Sequence, residues 1–178
     1  MTEGSIPGTM DFEIYLLMSM RRNANIKRHK LRSLGIDQSE AESRSRRVKG
    51  FLGFGPDRFL NLASILNIPV SKSNTSLLHP LKLWPDFNFY VENDGGFWGM
   101  AKFERASSAT RPQMDLPEKL APWSVAVDDF EATFSTFRCT DGFPPWEEFV
   151  FQGFDGVEYG ADFSYRLLQK IEVITHLP

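Results

Sequence analysis

The spacing of apolar residues predicts an amphipathic helix in the N-terminal half of the chain. Four apolar side chains recur at the i, i+3, i+4 and i+7 positions of one helical face: Phe59, Leu62, Ala63 and Leu66. Pro56 suits the first turn of this helix, because the N–H that proline lacks would have no partner there. Pro69 disfavours a helical conformation in the residue before it, so we expect the helix to end near Leu66 or Asn67.

The segment between Asp86 and Glu104 has the clearest β pattern in the chain, and it predicts a β-hairpin. Apolar residues of the first strand alternate with more polar ones, and Asn93, Asp94, Gly95 and Gly96 then supply the positive φ values of a tight turn. The segment 97–103 supplies the returning strand. Nearer the C-terminus, 148–152 is predicted as a strand that turns at 153–156 into a further strand at 157–159.

In other segments the pattern of apolar and polar residues does not distinguish a helix from a strand, or does so less clearly. The residues from Phe12 to Met20 fit either a strand or a helix. Asp128 and Asp129 are candidate starting residues of a short helix, because three phenylalanines follow at helical spacing: Phe130, Phe134 and Phe137. From Asp162 onward the pattern fits a helix with Phe163, Leu167 and Ile171 on one face, although 172–177 also alternates like a last strand.

Composition then bounds the fold. With 178 residues, 42% hydrophobic and 13% aromatic, the chain has enough apolar material for one domain with a real core. The expected class is α+β: a small antiparallel sheet built from aromatic-rich hairpins, with packed helices. We expect a flexible leader at 1–10, a basic helical arm at 11–50 and an α+β globular domain at 51–178. The chain shows no export signal or apolar run of membrane-spanning length, which favours the cytoplasm.

Charge is segregated along the chain. Half of all Lys and Arg lie between Arg21 and Lys49, whereas 124–163 holds nine carboxylates, one arginine and half of the phenylalanines. Like charges usually collect where a partner of opposite sign offsets their repulsion. Within the basic segment Asp37 and Glu40 have the spacing of a capping box that begins a helix. That helix offers only Ala41 and Val48 as apolar residues, so it is either solvated or docks through charge.

Catalytic and metal chemistry find little support in the sequence. The single cysteine, Cys139, has no nearby histidine, the three histidines stand apart, and no metal-binding or phosphate-loop motif appears. We therefore predict no metal ion and no cofactor. An enzymatic alternative is a carboxylate-dependent hydrolase, in which Glu147 and Glu148 lie beside the aromatic rings of Trp146 and Phe149.

A second alternative is a nucleic-acid-associated regulator that binds through the basic arm at 21–49. Its candidate contacts are Arg21, Arg22, Lys27, Arg28, Lys30, Arg44, Arg46, Arg47 and Lys49. This segment has no aromatic residue to stack on bases, and the whole chain has a formal charge of −3.

The leading hypothesis is a non-enzymatic protein-binding factor, such as an inhibitor, an immunity-like protein or an accessory protein. Its partner would be another protein, basic in character, because an acidic and aromatic surface speeds encounter and supplies buried anchors. The candidate contact residues are Asp141, Phe143, Trp146, Glu147, Glu148, Phe154 and Asp155.

Overall fold

The computed structural model describes residues 5–71 and 73–174. Within these ranges the chain forms five α-helices, seven strands and a short 3-10 helix at Pro117–Lys119. The helices are α1 (Thr9–Ser19), α2 (Ala24–Ser33), α3 (Gln38–Leu52), α4 (Arg58–Leu66) and α5 (Val127–Glu131). The strands are β1 (Ser76–Pro80), β2 (Phe87–Asp94), β3 (Phe97–Arg105), β4 (Arg138–Phe143), β5 (Trp146–Gln152), β6 (Glu158–Ser164) and β7 (Leu167–Val173).

The strands form two antiparallel sheets, one in the order β1-β2-β3 and the other in the order β4-β5-β6-β7. The predicted α+β class, with aromatic-rich hairpins and packed helices, is therefore confirmed. The chain divides into two compact units: Met1–Leu83 with Tyr90–Met100, and Trp84–Phe89 with Ala101–Pro178. We call them the helical unit and the sheet unit. None of the helices in the described ranges has the length and apolar character needed to cross a membrane.

The core of the helical unit forms around α1. Every residue from Asp11 to Leu17 is buried, so this helix has no solvent-facing side to create a visible period. That is why the pattern from Phe12 to Met20 fitted a strand as well as a helix. The buried acid Glu13 accepts backbone hydrogen bonds from Lys82 at 3.0 Å and from Leu83 at 2.6 Å, which fastens the chain after β1 onto α1.

The helix α3 docks on α1 through charge as well as apolar contact. Its N-cap Asp37 accepts a hydrogen bond from the Glu40 backbone at 2.8 Å, as the predicted capping box requires. Arg44 lies 3.4 Å from the carboxylate of the buried Asp11, and Arg47 forms a second ion pair with the same group. A helix with few apolar residues is thus held partly by ion pairs to a neighbouring helix.

Two local predictions, one for a helix and one for a hairpin, are confirmed. The helix α4 spans 58–66 and ends at the left-handed Asn67, as the apolar spacing and Pro69 indicated. The strands β2 and β3 form the predicted hairpin, with turn residues Gly95 and Gly96 at positive φ. The carbonyl of Gly96 accepts a hydrogen bond from the Phe59 backbone at 2.9 Å, so the hairpin turn packs on the start of α4.

Phenylalanines form the core of the sheet unit, and α5 is shorter than predicted. The helix includes Phe130 but ends at Glu131, with Asp129 accepting a hydrogen bond from the Ala126 backbone at 2.9 Å. The rings of Phe134 and Phe137 still pack against Phe130, because looser turns continue past the helix end. Helical spacing therefore placed the rings together although it overstated the length of the helix.

A second prediction in the sheet unit is wrong, since the segment after Asp162 forms β6 and β7 rather than a helix. The two strands join through Tyr165 and Arg166, whose φ values are 49° and 61°. Tight hairpin turns usually place Gly, Asn or Asp at such positions. Here tertiary contacts hold the turn, because the Tyr165 carbonyl accepts from Phe103 at 2.8 Å and the Arg166 carbonyl from Val127 at 2.9 Å.

Parts of two predictions fall on residues that are not described. Residues 1–4 of the expected leader lie outside the described ranges. So do residues 175–177 of the possible last strand, although β7 itself extends to Val173.

Candidate functional site

The two faces of the β4-β5-β6-β7 sheet have opposite character. On β5 the side chains of Phe149 and Phe151 are buried and belong to the phenylalanine core, so their side is the inner face. The alternate residues of β5 lie on the outer face: Trp146, Glu148, Val150 and Gln152. Residues directly opposite in neighbouring strands share a face, so the register extends the outer face across all four strands.

An acidic row crosses three strands of the outer face. Asp141 on β4 is opposite Glu148 on β5, and Glu148 is opposite Asp162 on β6. We call these three carboxylates the acidic row. Directly opposite side chains lie about 5 Å apart at their Cβ atoms, and like charges at that spacing repel by up to about 1 kcal/mol per pair in water. Repulsion within the acidic row therefore lowers the stability of the sheet locally.

One end of the acidic row has a cation and the other does not. Lys170 on β7 is opposite Asp162, and it also pairs with Glu172. Neither Asp141 nor Glu148 forms an ion pair with any residue of the described ranges. The carboxylates of the row without an ion pair in the described ranges are thus the two at its β4 end, Asp141 and Glu148.

An aromatic pair lies beside the acidic row. Phe143 and Trp146 are opposite each other at the β4-β5 turn, next to Asp141 and Glu148 on the same face. The side chain of Phe143 is 74% exposed, which is high for a phenylalanine. Exposed rings beside charge mark interaction sites more often than isolated exposed apolar residues do.

A groove of about 590 Å³ lies at the other end of the outer face. Its lining includes Arg138, Val150, Gln152, Glu158 and Ile174. Among the described residues that line the groove, Glu158 is the only one with a carboxylate, so the groove does not place two acids face to face. The groove extends the outer face as a shallow surface and does not have the paired acids of a hydrolase cleft.

The two edges of the sheet differ in their backbone pairing. The segment 123–127 covers the outer edge of the sheet at the start of β7: the Leu168 N–H donates to the Val125 carbonyl at 3.0 Å, and the Val127 N–H donates to the Arg166 carbonyl at 2.9 Å. All six residues of β4 are exposed. In the described part of the chain no backbone group pairs with the outer edge of β4. A bulge between Cys139 and Asp141 interrupts its register with β5.

The structure separates Glu147 from this surface. Its side chain lies on the inner face, opposite Phe163, and is nearly buried. One carboxylate oxygen lies 3.7 Å from the Arg166 guanidinium, and the other has no hydrogen-bond partner among the described residues. Burial raises the pKa of Glu147; Arg166 opposes this shift and Glu131 adds to it.

Arg166 gathers several acids of the sheet unit into one network. Its guanidinium also lies 2.9 Å from Glu131 and 3.6 Å from Asp128, and Asp128 in turn accepts from Lys102 at 2.7 Å. Because Glu147 and Glu148 lie on opposite faces of β5, they cannot act as the two acids of one hydrolase cleft. The acids near Arg166 instead fix the strained turn that carries it.

Phe154 and Asp155 are placed at the far end of the β5-β6 hairpin. The length of β5 separates them from Phe143 by about 20 Å. Phe154 is 67% exposed, with its ring centroid 5.3 Å from that of Phe134. Asp155 accepts hydrogen bonds from the Tyr159 hydroxyl at 2.7 Å and the Val157 backbone at 3.0 Å, and these bonds lower its pKa. The outer face therefore joins only Asp141, Phe143, Trp146 and Glu148 of the predicted contacts.

The basic residues of 21–49 belong to the helical unit, and several have internal roles. Arg44 and Arg47 pair with Asp11, as described above. The ammonium groups of Lys27 and Lys30 donate to the backbone carbonyls of Met20 and Leu83, and burial lowers the pKa of both lysines. The remaining candidate contacts for nucleic acid are exposed: Arg21, Arg22, Arg28, Arg46 and Lys49.

Metal and thiol chemistry have no assembled site in the described structure. No group of three or more His, Cys, Asp or Glu side chains within 5–71 and 73–174 is arranged to hold a metal ion. Cys139 is exposed on β4, where its thiol donates weakly to the Asp141 carbonyl at 3.5 Å.

Comparison with known proteins does not assign the chain to a family. No protein-family model matches it, no curated protein matches it, and no solved structure matches it.

Sequence reasoning missed two parts of this site. Asp162 belongs to the acidic row and Lys170 lies at its end, but neither was predicted as a contact residue, because the row depends on strand register. The strand β4 was not predicted, since all its side chains are exposed and it shows no alternation of apolar and polar residues.

Proposed function

We propose that this chain is a non-enzymatic protein-binding factor of the cytoplasm, which binds a basic protein through the outer face of its four-stranded sheet. The observation that supports this most directly is the acidic row beside Phe143 and Trp146. A single exposed cysteine and no disulfide partner for it fit a reducing compartment.

The acidic row supports a basic partner because of its uncompensated charge. Asp141 and Glu148 face solvent without an ion pair in the described chain, and Glu148 is flanked by a carboxylate on both sides. Lysine or arginine side chains from a partner would offset this repulsion on binding. Complementary charge of this kind raises the association rate and excludes acidic competitors.

The aromatic pair supports a protein partner rather than a free cation. Burying the exposed ring of Phe143 against apolar atoms contributes about 2 kcal/mol, on the scale expected for a large apolar side chain. Trp146 is only partly buried on the same face, and aromatic faces attract the guanidinium and ammonium groups that the row also attracts. Aromatic anchors next to charged residues are typical of binding hot spots.

The proposal is tested by charge reversal on the outer face of the intact protein. The tagged chain is incubated with an extract of its host, and the bound proteins are quantified. The wild type is compared with a double variant that carries Asp141→Lys and Glu148→Lys. The expected result is a basic partner whose recovery falls by about tenfold or more in the double variant, because lysines would then face the partner's cations.

The matched control is Asp115→Lys, which reverses an exposed carboxylate in the loop before the 3-10 helix. This variant should retain the partner at the wild-type level. Equal recovery of every bound protein by wild type and the double variant would contradict the proposal.

A further inference from the structure

We infer that the partner's basic segment binds as an added strand along the open edge of β4, extending the sheet to five strands. This inference rests on the proposed function and states how the partner is held. It depends on three features: the outer edge of β4, the charge at the β4 end of the acidic row, and the side chains next to that end.

The backbone of β4 is the part of this sheet that can accept another strand. At the opposite edge, the start of β7 already bonds to 123–127, through Leu167 and Leu168. On β4 every residue is exposed, and no backbone group in the described ranges bonds to its outer edge. The bonds there are local ones to side chains: the Gly142 N–H donates to the Asp141 carboxylate at 2.7 Å, and the Asp141 carbonyl accepts weakly from the Cys139 thiol at 3.5 Å. Main-chain hydrogen bonds to such an edge hold extended peptides in several recognition modes.

The charge of the acidic row specifies a cation on the added strand. The row reads Asp141, Glu148, Asp162 from β4 to β6, and Lys170 on β7 follows at one end. A strand next to β4 would lie about 4.8 Å away and place a side chain beside Asp141 on the same face. A lysine or arginine there would flank the three carboxylates on the side opposite Lys170, which offsets their repulsion at both ends.

The neighbouring position specifies an apolar residue. Phe143 is two residues from Asp141 and shares its face, so the added strand would place its next same-face residue against this ring. The bulge at 139–141 twists the edge and disfavours pairing with arbitrary strands. Side-chain contacts to Asp141 and Phe143 are therefore needed in addition to backbone bonds, which gives the site its selectivity for a basic residue two positions from an apolar one.

The test uses a synthetic probe, a short peptide of alternating threonine and valine with one central lysine. Amide chemical shifts of the full-length chain are followed by NMR during titration, with a second peptide in which glutamate replaces the lysine. We expect the lysine peptide to shift the amides of 138–143 in a saturable manner. The glutamate peptide should cause no saturable change there.

Two matched variants test the role of Asp141. In Asp141→Lys the preference should invert, so that the glutamate peptide now shifts the β4 amides and the lysine peptide does not. A variant that still folds and binds one peptide remains informative even if its fold is slightly weakened. Asp115→Lys should behave as wild type.

Backbone methylation separates strand addition from simple charge attraction. Two N-methylated versions of the lysine peptide are used, each methylated on alternate residues so that each blocks one hydrogen-bonding edge. One version should lose the β4 shifts and the other should keep them. If both versions bind like the unmethylated peptide, strand addition is wrong while docking of a basic partner on the outer face still stands. If no peptide shifts the β4 amides, the inference is also overturned, and the pull-down with charge-reversed variants decides the proposed function separately.

Discussion

Single residues of this protein are often held in their conformation by distant parts of the chain. Tyr165 and Arg166 adopt positive φ although neither is a glycine, which costs backbone energy on the order of 1 kcal/mol per residue. The turn persists because Tyr165 is buried, with its ring 5.6 Å from that of Phe89, and because the Arg166 guanidinium is held by several acids. Side-chain burial and ion pairs therefore select this turn.

Gly96 gives a residue-scale prediction with an internal control. At φ 97°, a Cβ added to this residue would lie 1.8 Å from the carbonyl oxygen of Pro56. Gly96→Ala should therefore lower the free energy of unfolding by about 3 kcal/mol, combining a steric clash with left-handed strain. The adjacent Gly95 also has positive φ, but an added Cβ would meet no atom within 4 Å.

Gly95→Ala should accordingly cost only about 1 kcal/mol, from backbone strain alone. Urea denaturation followed by circular dichroism measures both values. Equal losses in the two variants would show that the contact between Gly96 and Pro56 is unimportant to stability.

Among the elements, α3 shows how a charged helix becomes part of a core. Its buried residues are Ala41, Val48 and Leu52, a narrow apolar stripe for a helix of 15 residues. The ion pairs from Arg44 and Arg47 to Asp11 extend the contact that this stripe makes with α1. The sequence left open whether α3 is solvated or docks through charge, and the structure shows that it docks on α1.

Asp11→Asn tests the contribution of this docking. The substitution weakens the pairs with Arg44 and Arg47 and the hydrogen bond that the Asp11 carboxylate accepts from the Gly8 backbone at 3.0 Å. We expect a loss of about 2 kcal/mol in the free energy of unfolding, since a nearly buried carboxylate with two cationic partners and one backbone donor is replaced by a neutral amide. Differential scanning calorimetry and urea titration measure this loss.

The control for this prediction is Glu40→Gln. Glu40 pairs with Arg44 on the exposed surface of α3, in an i,i+4 arrangement. Its loss should cost no more than about 0.5 kcal/mol. A cost for Asp11→Asn as small as this control would mean that apolar packing alone holds α3 on α1.

For the whole molecule, the charge segregation of the sequence follows the division into units. The basic segment 21–49 lies in the helical unit, whereas the acidic segment 124–163 lies in the sheet unit. The internal roles of Lys27, Lys30, Arg44 and Arg47 remove part of the positive charge from the exposed surface of the helical unit. The acidic row, by contrast, remains on an exposed sheet face.

Nucleic-acid binding is therefore expected to be weak. A gel-shift titration of the whole chain with mixed-sequence DNA and RNA at low salt should give no complex whose stability falls steeply with salt. Four of the nine candidate basic residues are engaged in contacts within the helical unit, and the net charge of the chain is −3. If such a complex forms with the wild-type chain and is lost in an Arg46→Glu, Lys49→Glu variant, the result favours the nucleic-acid alternative over the proposed function. Both substituted residues are exposed on α3, so their replacement leaves its contacts with α1 in place.

The sequence by itself determined those features that depend on neighbours a few residues away. The face of α4, the β2-β3 turn and the Asp37 cap each need only local spacing and local backbone preference, and all three are found as predicted. The density of phenylalanines likewise indicated an aromatic core, because burial of large aromatic side chains contributes strongly to core stability.

Only the tertiary structure decided the helix at α1, the hairpin at Tyr165 and the acidic row. Because α1 is buried on all sides, its sequence has no helical period of apolar residues. Because distant contacts hold the turn at Tyr165 and Arg166, its sequence has no glycine at the positions with positive φ. The row exists because strand register brings Asp141, Glu148 and Asp162 together from three separate strands. Pairing between distant segments sets that register, so no local pattern could place Glu147 on the inner face and Glu148 on the outer one.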